Sequence, residues 1–97
     1  MESEQAVAIL GALAHETRLA VFRTLVRAGE PVPAGALLHE VDVPATTLSF
    51  HLKALKEAGV VSCRREGRSL LYAADMSTMG GLLRFLTEDC CRGLTKK

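Results

Sequence analysis

The most reactive side chains of the chain are three thiols: Cys63 and the adjacent pair Cys90 and Cys91 near its end. Thiolates are soft ligands and suit thiophilic ions such as arsenite, antimonite, Cu(I) or Zn(II). A trivalent arsenic centre fits three thiolates in a pyramid, and carboxylates offer it little. Cys63 also reads as a small apolar residue of a strand. A second set is polar and basic. Thr46, Thr47, Ser49, Phe50, His51 and Lys53 run close together, and Arg64, Arg65 and Arg68 follow shortly after. Small polar side chains at a helix start cap amides, and they let the helix end enter a DNA major groove. Thr46, Thr47 and Ser49 suit base or phosphate contacts, His51 and Lys53 the phosphate backbone. Guanidiniums on a hairpin tip suit phosphates or a narrow minor groove. Nothing similar points to catalysis. No nucleophile–base pair is evident, no glycine-rich phosphate loop occurs, and His15, His39 and His51 lack metal-site spacing.

These residues need elements to hold them. Val7, Leu10 and Leu13, with Ala6 and Ile9 beside them, predict a first helix over 4–13. Leu19, Phe22, Leu25 and Val26 predict a second over 16–28, stopped by Gly29 and Pro31. Pro33 suits the first turn of a third helix that runs through Leu37, Leu38 and Val41. After a tight turn at Asp42 to Pro44, a fourth helix runs from about 45 to 58. It turns Leu48, Leu52 and Leu55 inward, and Gly59 suits its left-handed cap. The period then drops to two. Val61, Cys63 and Arg65 form one strand face, Leu70 and Tyr72 another, with a turn near Glu66 and Gly67. That register puts Cys63 opposite about Leu70. Asp75 then caps a last helix, from about 76 to 89, with Met76, Met79, Leu82, Leu83 and Leu86 on a wide apolar stripe.

The expected order is α-α-α-α-β-β-α, mainly α, in a single domain over 1–97. A helix-turn-helix spans about 33–58, a wing about 60–73 and a last helix about 76–90. A hairpin directly after the second helix of a helix-turn-helix is the order a winged helix requires. The composition agrees only weakly with DNA as partner, since the formal net charge is +1. The basic residues are nevertheless concentrated between His51 and Arg68, interrupted by Glu57 and Glu66. A 48% apolar content argues against disorder. A chain of 97 residues buries a modest core and gains from a partner subunit. Met1 to Gln5 are unlike a secretory leader, and no apolar run is long enough for a membrane. The expectation is a cytoplasmic protein with reduced thiols and no membrane partner.

The run Thr46-Thr47-Leu48-Ser49-Phe50-His51-Leu52-Lys53-Ala54-Leu55-Lys56-Glu57-Ala58-Gly59-Val60-Val61 resembles the recognition helix of the arsenic-repressor (ArsR/SmtB) family of winged-helix regulators. Arg64-Arg65-Glu66-Gly67-Arg68-Ser69-Leu70-Leu71-Tyr72 resembles its wing, and Leu13-Ala14-His15-Glu16-Thr17-Arg18-Leu19 the opening of its second helix. The resemblance implies a homodimer that binds near-palindromic, double-stranded operator DNA and represses transcription until an inducer, arsenite or antimonite, arrives. It implies dimerisation through the first and last helices, hence through Val7, Leu10, Met76, Met79, Leu82, Leu83 and Leu86. It also implies thiolate ligands at Cys90 and Cys91, because some arsenic-responsive members carry such a pair there. Better-known members hold cysteines in the first helix of the DNA-reading motif, and 33–41 has none. A third cysteine beyond the pair is also missing. Cys63 is the remaining thiol. The last helix spans about 21 Å from Met76 to Cys90, so Cys63 reaches the pair only if the chain folds back or across a dimer. An external thiol or hydroxide is the other way to fill the third position. Zinc-sensing members use Asp and His on the last helix, where this chain has no histidine. A redox trigger, another soft metal, or no ligand stays open, as does a winged-helix module that binds protein rather than DNA.

Overall fold

A computed structural model describes residues 1–94. Its elements are α1 (Ser3–Leu13), α2 (Glu16–Ala28), β1 (Val32–Pro33), α3 (Ala34–Glu40), α4 (Ala45–Glu57), β2 (Val61–Glu66), β3 (Ser69–Ala74) and α5 (Met76–Thr87).

α1 buries Ala6, Ile9 and Ala12 rather than the larger stripe beside them. Two alanines on that face let the helix lie close to its neighbours. Val7 and Leu10 stay outside, Val7 at 68% exposure. α2 buries Val21, Phe22 and Leu25 and ends at Gly29, whose φ of 69° is left-handed. Glycine takes that conformation without the Cβ clash other residues meet. The expected stripe of α2 is thus corrected, because Leu19 and Val26 face outward.

The strand β1 adds an element to the expected order, making it α-α-β-α-α-β-β-α. Pro33 stands in this strand as the residue before α3, with φ −65° and ψ 147°, and not inside the helix. The reason is local. A residue preceding proline is driven to extended backbone, and proline is tolerated on a sheet edge because it has no N–H to pair. Val32 and Pro33 pair antiparallel with Tyr72 and Leu71, giving a three-stranded sheet in the order β1-β3-β2.

α4 has the close the sequence predicts. Gly59 lies at φ 87°, its N–H donates to the Lys56 carbonyl at 3.0 Å, and the Val60 N–H donates to Leu55 at 3.2 Å. This paired closure satisfies carbonyls the helix leaves open. The chain then enters β2 at once. The hairpin turns at Gly67 and Arg68, one residue later than expected. Cys63 therefore faces Tyr72 rather than Leu70, and Arg65 faces Leu70. Gly67 at φ 63° supplies the positive φ of a two-residue loop. The Asp75 N–H returns to the Val60 carbonyl at 2.8 Å and ties the end of the hairpin to its beginning. Asp75 also caps α5, its Oδ1 accepting from the Thr78 N–H at 3.0 Å.

Ile9, Val21, Leu25, Leu37, Leu52, Leu55 and Val60 are the large side chains withdrawn completely from water. Burying a side chain of this kind contributes about 1.5–3 kcal/mol. α1, α2, α3, α4 and the root of the hairpin share this core. α5 enters it through Leu82, with Met79 and Phe85 partly buried against it. Leu82, expected on a face toward a second subunit, is 2% exposed within one chain. The molecule measures 54 × 23 × 21 Å, with a radius of gyration of 15.4 Å. A compact chain of this length has about 12.5 Å.

Candidate nucleic-acid interface and thiol pair

α4 sorts its residues by the 3.6-residue turn. Leu48, Leu52 and Leu55 point to the core, which leaves Thr46, Ser49, Phe50 and Lys53 exposed, with Thr47 half-buried. Phe50 is an aromatic at 63% exposure on the outer face of this helix. The N-cap Pro44 makes no side-chain capping bond. The first-turn amides are therefore open to water or to an anion, with the positive end of the helix dipole behind them.

His51 is corrected from the expected surface. It is 6% exposed and lies behind the reading face. The Arg18 Nε–H donates to its Nδ1 at 3.1 Å, so the neutral ring carries its own proton on Nε2. The His15 ring lies 4.7 Å away, tilted by 47°, and His15 caps α2 by accepting from the Thr17 N–H. Burial lowers the His51 pKa, and the positive charge of His15 and Arg18 lowers it further. The same arginine places its guanidinium carbon 5.8 Å from the Phe50 ring centroid. Arg18 is the residue that a reading of single elements misses. Its trace in the sequence is the segment Leu13 to Leu19, where a histidine and an arginine open α2.

The wing holds Arg64, Arg65 and Arg68 in exposed positions. Arg64 and Glu66 form an ion pair at 3.7 Å, both largely solvated. A pair so exposed adds little to stability and is easily exchanged for a phosphate. Cys63 lies at the root of the wing beside Tyr72. Burial raises the Tyr72 pKa, and the neighbouring Cys63 raises it further.

The second feature is the thiol pair. α5 ends at Thr87, earlier than expected, with Glu88 extended at ψ 146°. Two acidic residues, Glu88 and Asp89, are unfavourable at the negative end of a helix dipole. The chain continues as a turn in which Cys90 N–H donates to Thr87 O at 3.1 Å and Asp89 and Cys91 adopt left-handed φ of 61° and 68°. Asp89 also pairs with Arg92 at 3.3 Å. This turn decides the chemistry of the pair. On a helix, adjacent side chains diverge by about 100°. Here the Cys90 and Cys91 Sγ atoms meet at 2.7 Å, both exposed. The contact with the Cys91 thiol raises the Cys90 pKa, and desolvation raises it further. Among the described residues no group of three or more His, Cys, Asp or Glu side chains is placed to hold one metal ion. Cys63 does not join the pair within one chain.

A short helix-turn-helix whose second helix presents a polar outer face, followed directly by an arginine-bearing hairpin, defines a winged-helix DNA reader. A family model described as a helix-turn-helix domain matches residues 13–64. The nodulation protein NolR of Rhizobium meliloti is 31% identical over 87 residues, covering 90% of this chain and 70% of that protein. A putative arsenical resistance operon repressor of Halobacterium salinarum is 37% identical over 73 residues, covering 75% of this chain and 57% of that protein. An ArsR-like transcriptional regulator from Rhodococcus superposes with a TM-score of 0.78 at 26% identity, over 86% of this chain and 76% of that one. The chain spans less than two thirds of the length of some of its relatives. It belongs to the winged helix-turn-helix regulators of the ArsR/SmtB-like superfamily. Relatives among these are named as a repressor and as a transcriptional regulator. Among the described residues no helix is long and apolar enough to cross a membrane.

Proposed function

We propose that the protein is a homodimeric repressor that leaves its operator when arsenite or antimonite condenses with Cys90 and Cys91. The observation that carries the trigger is the 2.7 Å approach of two exposed thiols. Arsenous acid, As(OH)3, exchanges two hydroxyls for the two sulfurs, each thiol proton leaving with a hydroxyl as water. The third position keeps its hydroxyl or takes an external thiol. No electron is transferred. Two α4 helices of a dimer would enter successive major grooves about one helical turn apart, on a near-palindromic site. Thr46, Thr47, Ser49, Phe50 and Lys53 read or flank the groove, and Arg64, Arg65 and Arg68 hold phosphates beside it. The pair lies in the turn just beyond α5, and α5 exposes Leu83 and Leu86, which suit a partner copy. Closing a ring across residues 90 and 91 remodels the turn that ends α5. A changed pairing of the last helices then alters the spacing of the two recognition helices.

The test uses a duplex recovered by selection from a random library. Wild-type protein binds it with strong salt dependence and is released by arsenite. C90S and C91S bind equally well and are not released, while C63S is released like wild type. Unchanged release in C90S and C91S would sink the trigger and leave the DNA reading intact. The same sulfur contact favours a second reading, oxidation of the pair to a disulfide by a peroxide, with two protons and two electrons lost. Release that a peroxide causes and a thiol reductant reverses, without response to arsenite, selects that reading.

A further inference from the structure

Arg18 is held in a way that its own fold does not use fully. Its Nε–H is committed to the buried His51 Nδ1 at 3.1 Å. Its guanidinium lies beside Phe50, an exposed residue of the α4 outer face. Among the described residues, its terminal nitrogens make no hydrogen bond or ion pair. Arginine carries five N–H donors in a planar fork, and one bond at Nε leaves the four on the two terminal nitrogens of this half-buried side chain. Glu16, two residues earlier, is turned by about 200° around α2 and so lies on the other side of the helix.

We infer that Arg18 is a DNA phosphate-binding residue, oriented by His51 and seated on Phe50, in addition to the residues of α4 and the wing. The inference rests on the DNA-binding reading above. The arrangement has three parts. His51, fixed in the core of α4, accepts one donor and sets the plane of the guanidinium. The Phe50 ring lies under its guanidinium carbon at 5.8 Å, a cation–π contact an arginine makes well. The remaining donors form the fork that matches two phosphate oxygens. Because His51 and Phe50 both belong to the recognition helix, the phosphate and the helix are held in one register although Arg18 belongs to α2. Arg18 then positions the reading face on the duplex without reading a base itself.

The test is the salt dependence of binding, measured by fluorescence anisotropy with the full chain. One probe is the selected duplex and the other a mixed-sequence duplex of about 30 base pairs, at about 50 to 200 mM salt. R18A lowers the slope of log K against log salt by about 0.9 for each arginine on a phosphate, about 1.8 for a symmetric dimer. The loss is the same on both duplexes. R18M keeps an apolar stem against Phe50 and shows the same slope loss, which covers any weakness of folding in R18A. H51L removes the acceptor, leaves the charge, and weakens binding to both duplexes. An unchanged slope in folded R18A and R18M overturns the inference and makes Arg18 a purely internal strut. A loss confined to the selected duplex also overturns it, since that is the mark of a base contact. Failure of wild type to bind either duplex overturns the DNA reading itself.

Discussion

His51 is a histidine that the fold needs neutral. Protonation would convert the Nδ1 acceptor into a donor facing Arg18, and would add charge beside His15 and Arg18. The folded pKa lies below the ordinary 6.5, with burial the largest cause. The unfolded chain therefore binds the proton first as pH falls. Stability from this site is complete above about 6.5 and is lost progressively as pH drops toward the lowered folded value. Denaturant unfolding at about pH 7.5 and about pH 5.5 checks this: wild type loses more stability than H51L over that interval. Equal losses in the two proteins would show that His51 does not titrate in this way. The thiols differ in kind. Their role depends on the backbone turn that brings them together, and neither is buried.

At the scale of elements, the recognition helix depends on how it ends. Gly59 lies at φ 87° with open space where a Cβ would be. The cost of a side chain there is thus conformational and not steric. Gly59→Ala is expected to destabilise the protein by about 1 kcal/mol through left-handed strain at that close. A shift in denaturant midpoint without a change in slope measures it. A loss beyond about 3 kcal/mol would mean that the wing, which starts two residues later, is displaced as well. The existence and type of the helices were legible because their apolar residues recur at helical spacing. Their buried faces were less so. In α1 the periodicity allows either Val7 and Leu10 or Ala6, Ile9 and Ala12 to face inward, and close packing selected the smaller set. β1 was not legible, because two residues carry no period and their strand exists only where β3 offers an edge.

The whole molecule is long for its mass, and α1 and α5 each expose large apolar residues, Val7 and Leu10 on the first and Met76, Leu83 and Leu86 on the second. Leu83 is 58% exposed, while its neighbour Leu82 is buried. If this surface closes a homodimer, Leu83→Glu yields a folded monomer in sedimentation and weakens binding to the selected duplex. Leu82→Glu instead unfolds the chain, since it places a charge in the core. A folded, dimeric Leu83→Glu protein would remove α5 from the interface. Dimer formation also bears on the trigger, because the turn with Cys90 and Cys91 lies at the end of the same helix.

The amino-acid sequence by itself determined the helical periods, the glycine stops, the period-two wing and the family likeness carried by 13–19, 46–61 and 64–72. Those are local properties, written in residues a few positions apart. It also marked Cys90 and Cys91 as soft ligands, since that follows from side-chain type. Only the tertiary structure decided that Cys63 faces Tyr72, because register is a property of two strands and one residue of turn shifts it. Only it withdrew His51 from the surface, because a packed α2 supplies Arg18 from 33 positions away. The convergence of the two sulfurs is local but carries no periodic signal, since it required α5 to stop before them and the backbone to turn left-handed on either side of Cys90.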